Sequence, residues 1–148
     1  VQTSFFSVYK PVYSQSITIQ DLEKFIIYPK DDVEKYLINT KYFVLSQVDK
    51  WGDSPLKTYT KKSESVYIGG GFSRSNGSFI KDVVYMTEDA KYMVDMLYKI
   101  TEAGYKFKNR TQKDQEDDAD YENDKYQLNV VIKYGKGELS TILIAENP

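Results

Sequence analysis

The stretch from Thr87 to Tyr105, T-E-D-A-K-Y-M-V-D-M-L-Y-K-I-T-E-A-G-Y, most constrains what this chain can fold into. Ala90, Met93, Val94, Leu97 and Ile100 fall on one face at helical spacing, so the segment predicts an amphipathic helix. Thr87 is placed to cap it, Glu88 and Asp89 suit its positive end, and Gly104 suits a left-handed stop. Strand-like sequence lies on both sides. A helix that must bury one face between runs of strands calls for a sheet to pack on, which makes this an α+β chain.

Two shorter helices are expected before it. Thr18 caps a segment with Leu22, Phe25 and Ile26 on one face, which Pro29 ends. Asp31 or Asp32 then caps D-D-V-E-K-Y-L-I-N, with Val33, Tyr36 and Leu37 inward. Strands are expected over Tyr42–Val48, Leu56–Lys62, Ser65–Ser73 and Phe79–Met86. The last two are joined by Asn76-Gly77, a type I′ hairpin signal. After the long helix, Tyr105–Thr111, Tyr126–Tyr134 and Glu138–Ala145 read as strands. Residues 1–16 read as an extended lead-in whose aromatics pack on the body of the domain.

Both halves, 17–86 and 87–146, thus run from helix to about four strands, at an offset of about 63 residues. The pattern predicts one domain over residues 1–148: a two-layer α+β fold, its antiparallel sheet covered on one face by helices, built from two α-β4 repeats. This order of elements resembles the tandem architecture of the β-lactamase-inhibitor-protein-like group and of many exported bacterial proteins with paired α+β repeats. The resemblance rests on element order alone, and no functional residue carries over. It implies a secreted or periplasmic binding or inhibitory module. The start at Val1 instead of Met suggests a processed or trimmed N-terminus, with a removed signal peptide as one explanation and trimming as the other. A cytoplasmic location is the alternative.

The chain has no cysteine and no histidine. That removes thiol nucleophiles, Cys/His zinc sites, Ser-His-Asp triads and imidazole acid–base chemistry, so the reading leans away from an enzyme. No cofactor motif is present. No apolar run reaches the roughly 20 residues of a membrane span. Residues 114–124 hold seven acids and no base, while the remainder carries 20 bases against 15 acids. The basic surplus is dispersed, so no nucleic-acid-binding face is expected.

Three features are candidates for contact with a ligand. Asp118, Asp120, Glu122 and Asp124 alternate in the acidic run. They offer oxygens to calcium but lack the sixth-position Gly and twelfth-position Glu of an EF-hand loop, and the plainer reading is a solvated loop. Gly69-Gly70-Gly71 lacks the Lys-Ser/Thr of a phosphate loop and reads as a bulge or close approach in a strand beside a groove. Trp51, in the loop D-K-W-G-D-S-P, is a candidate anchor for a partner or a platform for a sugar ring. With 14 Tyr and 7 Phe, the aromatic content suits either a β-rich core or an adhesive surface. The expected function is a non-enzymatic module that engages a protein partner through an aromatic-rich sheet face or loops. The alternative is a domain that binds or hydrolyses a glycan or another small ligand.

Overall fold

The computed structural model describes residues 16–51, 54–73 and 79–147, with the backbone alone for residues 51, 54, 70–73, 79 and 80. The lead-in up to residue 15 and the Asn76-Gly77 turn lie outside the described residues. Helix α1 spans Ile19–Ile27. Helix α2 spans Lys30–Lys35 and runs into one wider π turn, Tyr36–Thr40. Four strands follow: β1 (Val44–Trp51), β2 (Ser54–Lys61), β3 (Glu64–Ser73) and β4 (Phe79–Thr87). Helix α3 (Ala90–Glu102) leads to β5 (Lys106–Lys113), β6 (Glu116–Glu122), β7 (Tyr126–Lys133) and β8 (Ser140–Glu146).

Among the described residues these strands form one antiparallel sheet of eight, in the order β1-β2-β3-β4-β8-β7-β6-β5. The fold is α+β. Strands β4 and β8 meet at the centre, with Tyr85 opposite Ile142 and Val83 opposite Ile144. Helix α1 packs on β4 and β8, and α3 packs on β7 and β8. Burial alternates along β7, where Tyr126, Leu128, Val130 and Ile132 point into the core. The core also takes Leu22, Phe25 and Ile26 of α1, Val33 and Leu37 of α2, and Met93, Met96 and Ile100 of α3.

The helix ends show how local chemistry fixes these positions. Thr18 and Asp21 form a capping box: the Thr18 hydroxyl accepts from the Asp21 amide, and the Asp21 carboxylate from the Thr18 amide. At the other end of α1, the Lys81 ammonium on β4 donates to the carbonyls of Phe25 and Tyr28. A cation there satisfies orphan carbonyls and complements the negative end of the helix, tying α1 to the sheet.

Four local expectations need correction. The cap of α3 is Asp89, whose side chain accepts from the Tyr92 amide; Thr87 closes β4 and its hydroxyl accepts from the Asp89 amide. Neither Asp31 nor Asp32 caps α2, because the helix starts at Lys30, with Pro29 at the cap position two residues before Asp31. Trp51 is not in a loop: it is the last residue of β1, paired with Ser54. The acidic run is not a solvated loop either. Glu116–Glu122 is an interior strand, hydrogen-bonded to β5 on one side and β7 on the other. Its carboxylates are compensated across the ladder: Arg110 grips Asp117 with two nitrogens, at 2.7 and 2.5 Å, and Lys108 reaches Glu122 at 2.9 Å.

Gly104 follows α3 at φ +93°. A Cβ there would meet nothing within 4 Å, so any penalty for a side chain is backbone strain alone. Gly104→Ala is expected to lower stability by about 1–2 kcal/mol in urea unfolding. An unchanged midpoint would mean that the helix end rearranges freely.

Candidate functional site

Two concavities and one sheet edge stand out. The larger concavity is a cleft of about 650 Å³ between the end of α1, the residues that follow α3, and the β6–β7 turn. Glu23 and Ile27 line one side, Gly104 and Lys106 the base, and Glu122 to Tyr126 the other side. The turn is rigid for a local reason. The Asn123 side chain accepts from the amides of Lys125 and Tyr126, at 2.8 and 2.7 Å, and Asn147 donates to the Asn123 carbonyl. Glu23, on the opposite wall, accepts at 2.7 Å from the hydroxyl of the buried Tyr105. Burial, then the hydrogen bond to Glu23, push the Tyr105 phenol well above its ordinary range, so it stays a neutral donor.

The second concavity, of about 340 Å³, lies on the sheet beside Leu143. The ladder sets Asn109, Asp120, Asn129 and Leu143 in a row across four strands. Because side chains repeat every two residues, Asp118 and Glu122 share this face with Asp120. The Asn129 amide nitrogen donates to both Asp118 and Asp120, at 2.7 and 2.8 Å.

The third feature is the contrast between the two edge strands. Edge β5 carries Lys106, Lys108, Arg110 and Lys113, two of them in ion pairs with β6. Such a charged edge resists pairing with another strand. Edge β1 is different: Val44 is 66% exposed and Val48 51%, with Tyr42 and Leu45 also exposed. A bulge interrupts β1 between Leu45 and Gln47, where the Ser46 hydroxyl donates to the Thr58 carbonyl. Past the bulge, Gln47 to Trp51 continue in regular pairing with β2 and leave their outer edge unpaired by any described strand.

The sequence candidates fall in separate places. Gly69 is buried opposite Asp82, and a Cβ on it would lie 2.8 Å from the Tyr67 hydroxyl. The pairing register slips between Gly70 and Phe72, so Gly71 is the extra residue of a bulge. Trp51 ends β1 two strands away, and its side chain lies outside the described structure. Asp118, Asp120 and Glu122 sit on the far side of the sheet, with β4, β8 and β7 between them and the glycines. Asp124 lies in the turn that lines the larger cleft, together with Glu122. Among the described residues no three Asp, Glu, His or Cys side chains gather as an ion-holding group. No described helix is long and apolar enough to cross a membrane.

Sequence reasoning missed Glu23 in the cleft, its buried partner Tyr105, and the exposed edge of β1. The Glu23–Tyr105 bond joins residues 82 positions apart and has no local signal. The edge leaves no local trace either: segment 44–51 has one lysine where 106–113 has three lysines and an arginine, and so lacks the charges that mark a protected edge. No family model matches the chain, and no curated protein or solved structure shows significant similarity to it.

The Tyr105–Glu23 hydrogen bond carries a prediction. Tyr105→Phe is expected to cost about 1–2 kcal/mol in denaturant unfolding, since it leaves a half-buried carboxylate without its donor. No loss would mean that Glu23 is fully hydrated in the cleft.

Proposed function

We propose that this chain is a non-enzymatic binding module that engages an extended segment of a protein partner along β1. One observation carries the reading: β1 is an edge strand with exposed apolar side chains, while the opposite edge is fringed with lysine and arginine. An unblocked edge offers backbone donors and acceptors for strand addition. Exposed Val44, Leu45 and Val48 offer the side-chain contacts that give such pairing its preference. The fitting partner is an extended segment, weakly charged, with β-branched or aromatic residues at alternate positions.

The same reading takes the fold as two layers built from two α-β4 halves. Matching features support it at a spacing of 62 residues. Tyr42 and Gly104 both take positive φ where a helix ends. The next residues, Phe43 and Tyr105, are both buried aromatics. The bulges between Leu45 and Gln47 and between Phe107 and Asn109 interrupt the first strand of each half. In this reading the two halves share a scaffold and differ in their edges, so the first half is the one adapted for strand addition.

The test is selection of binders from a displayed library of 12-residue peptides, followed by amide hydrogen exchange on the complex. Enriched peptides are expected to protect residues 44–51, and Val48→Lys is expected to weaken them at least tenfold with the melting temperature unchanged. Protection elsewhere on the domain, or binding indifferent to Val48→Lys, contradicts the reading.

A further inference from the structure

We infer that the depression beside Leu143 is a binding site for a neutral oligosaccharide, separate from the β1 edge. It lies across β5, β6, β7 and β8, at the other end of the sheet from β1. At the usual strand spacing, the row Asn109, Asp120, Asn129 and Leu143 extends about 14 Å, room for two or three pyranose rings. A second row runs beside it: Glu122 opposite Gln127, and Gln127 opposite Ala145.

The chemistry of these rows matches vicinal hydroxyls. Each sugar hydroxyl donates and accepts, so its best partners are carboxylates and carboxamides placed side by side. The Asn129 nitrogen is committed to Asp118 and Asp120, which fixes the direction of its carbonyl oxygen. Of these two carboxylates Asp120 lines the depression; one of its oxygens takes the Asn129 hydrogen bond, which leaves the other to accept from a ligand. The exposed carboxamides of Asn109 and Gln127 can both donate and accept. Leu143 and Ala145 give a small apolar floor for the C–H face of a ring.

Other ligands fit less well. Glu122 is paired with Lys108 at 2.9 Å, and among the described residues no three acids gather to hold a cation. It also has no deep apolar pocket to anchor a protein side chain. With a shallow polar floor, the expected affinity is weak, with Kd near about 1 mM.

The experiment is a two-dimensional ¹⁵N–¹H titration of the full chain with maltotriose, cellotriose and chitotriose in turn. The side-chain amide signals of Asn109, Gln127 and Asn129 report directly on the site. The inference expects saturable shifts of those three signals with at least one sugar. It also expects binding at least fivefold weaker in Gln127→Ala, whose exposed side chain can be removed without disturbing the core, and unaffected by Val48→Lys. Absence of saturable shifts with all three sugars overturns it. So do shifts centred on the Glu23 cleft or on β1, or full binding by Gln127→Ala. Because Val48→Lys tests β1 alone, failure of the peptide reading and failure of this one are distinguishable.

Discussion

The interaction on which this architecture depends is the hydrogen bond from a buried tyrosine hydroxyl to a carboxylate. Among the described residues four tyrosines make such a bond, Tyr36 from a half-buried position. Tyr36 donates to Asp21 at 2.7 Å and joins α2 to α1; Tyr59 donates to Glu34 at 3.0 Å and joins β2 to α2. Tyr105 donates to Glu23 at 2.7 Å and ties the lead-in to β5 to α1; Tyr85 donates to Glu64 at 3.0 Å inside the sheet. Glu64 is 3% exposed and also accepts from the amide and hydroxyl of Ser16, which fixes the entry of the chain into α1. In each pair the tip of the ring hydrogen-bonds a carboxylate: Asp21 and Glu64 are almost fully buried, Glu23 and Glu34 half-buried. A chain without histidine or cysteine uses tyrosine for this linkage, and much of its aromatic content is thereby spent inside.

This accounts for what could be read in the sequence. The faces of α1 and α3 were legible because burial imposes a 3.6-residue period, and Pro29 and Gly104 punctuate those helices through backbone geometry alone. The strand at Glu116–Glu122 was not legible. Its residues have low strand propensity, and only Ala119 is buried outright. Its charges are compensated by Arg110, Lys108 and Asn129 on the two neighbouring strands, 7 to 14 residues away. The basic stripe before the acidic run signals that neutralisation in the sequence, but not that the run itself is a strand between β5 and β7. Tyr42 was hidden for a similar reason: it takes φ +63° without being glycine, because the buried Phe43 that follows it dictates the turn.

The candidate sites were less legible than the fold. Strand order is a tertiary fact, so nothing within Val44–Trp51 shows that this strand lies at an edge rather than at the centre. The cleft beside Glu23 and the depression beside Leu143 are both assembled from separate elements. Trp51 and the three glycines mark the end of the sheet at the β1–β2 turn, while the acidic residues mark the opposite side. The sheet therefore presents two chemically distinct regions, one apolar and edge-like, one polar and face-like.

Spectrophotometric titration of the tyrosines, followed in parallel by far-ultraviolet circular dichroism, tests the role of the tyrosine–carboxylate bonds most directly. Burial, reinforced by the nearby carboxylates, raises Tyr36 and Tyr92 to about 12 and Tyr59, Tyr85 and Tyr105 further. A phenol whose folded value is raised favours the folded state fully below its unfolded value near 10, and that contribution is lost as pH climbs through the folded value. The account predicts a group of tyrosines that stay protonated past pH 11 and then ionise together with loss of the sheet signal. Ionisation of every tyrosine in one gradual wave near pH 10, with the sheet signal intact, would contradict it.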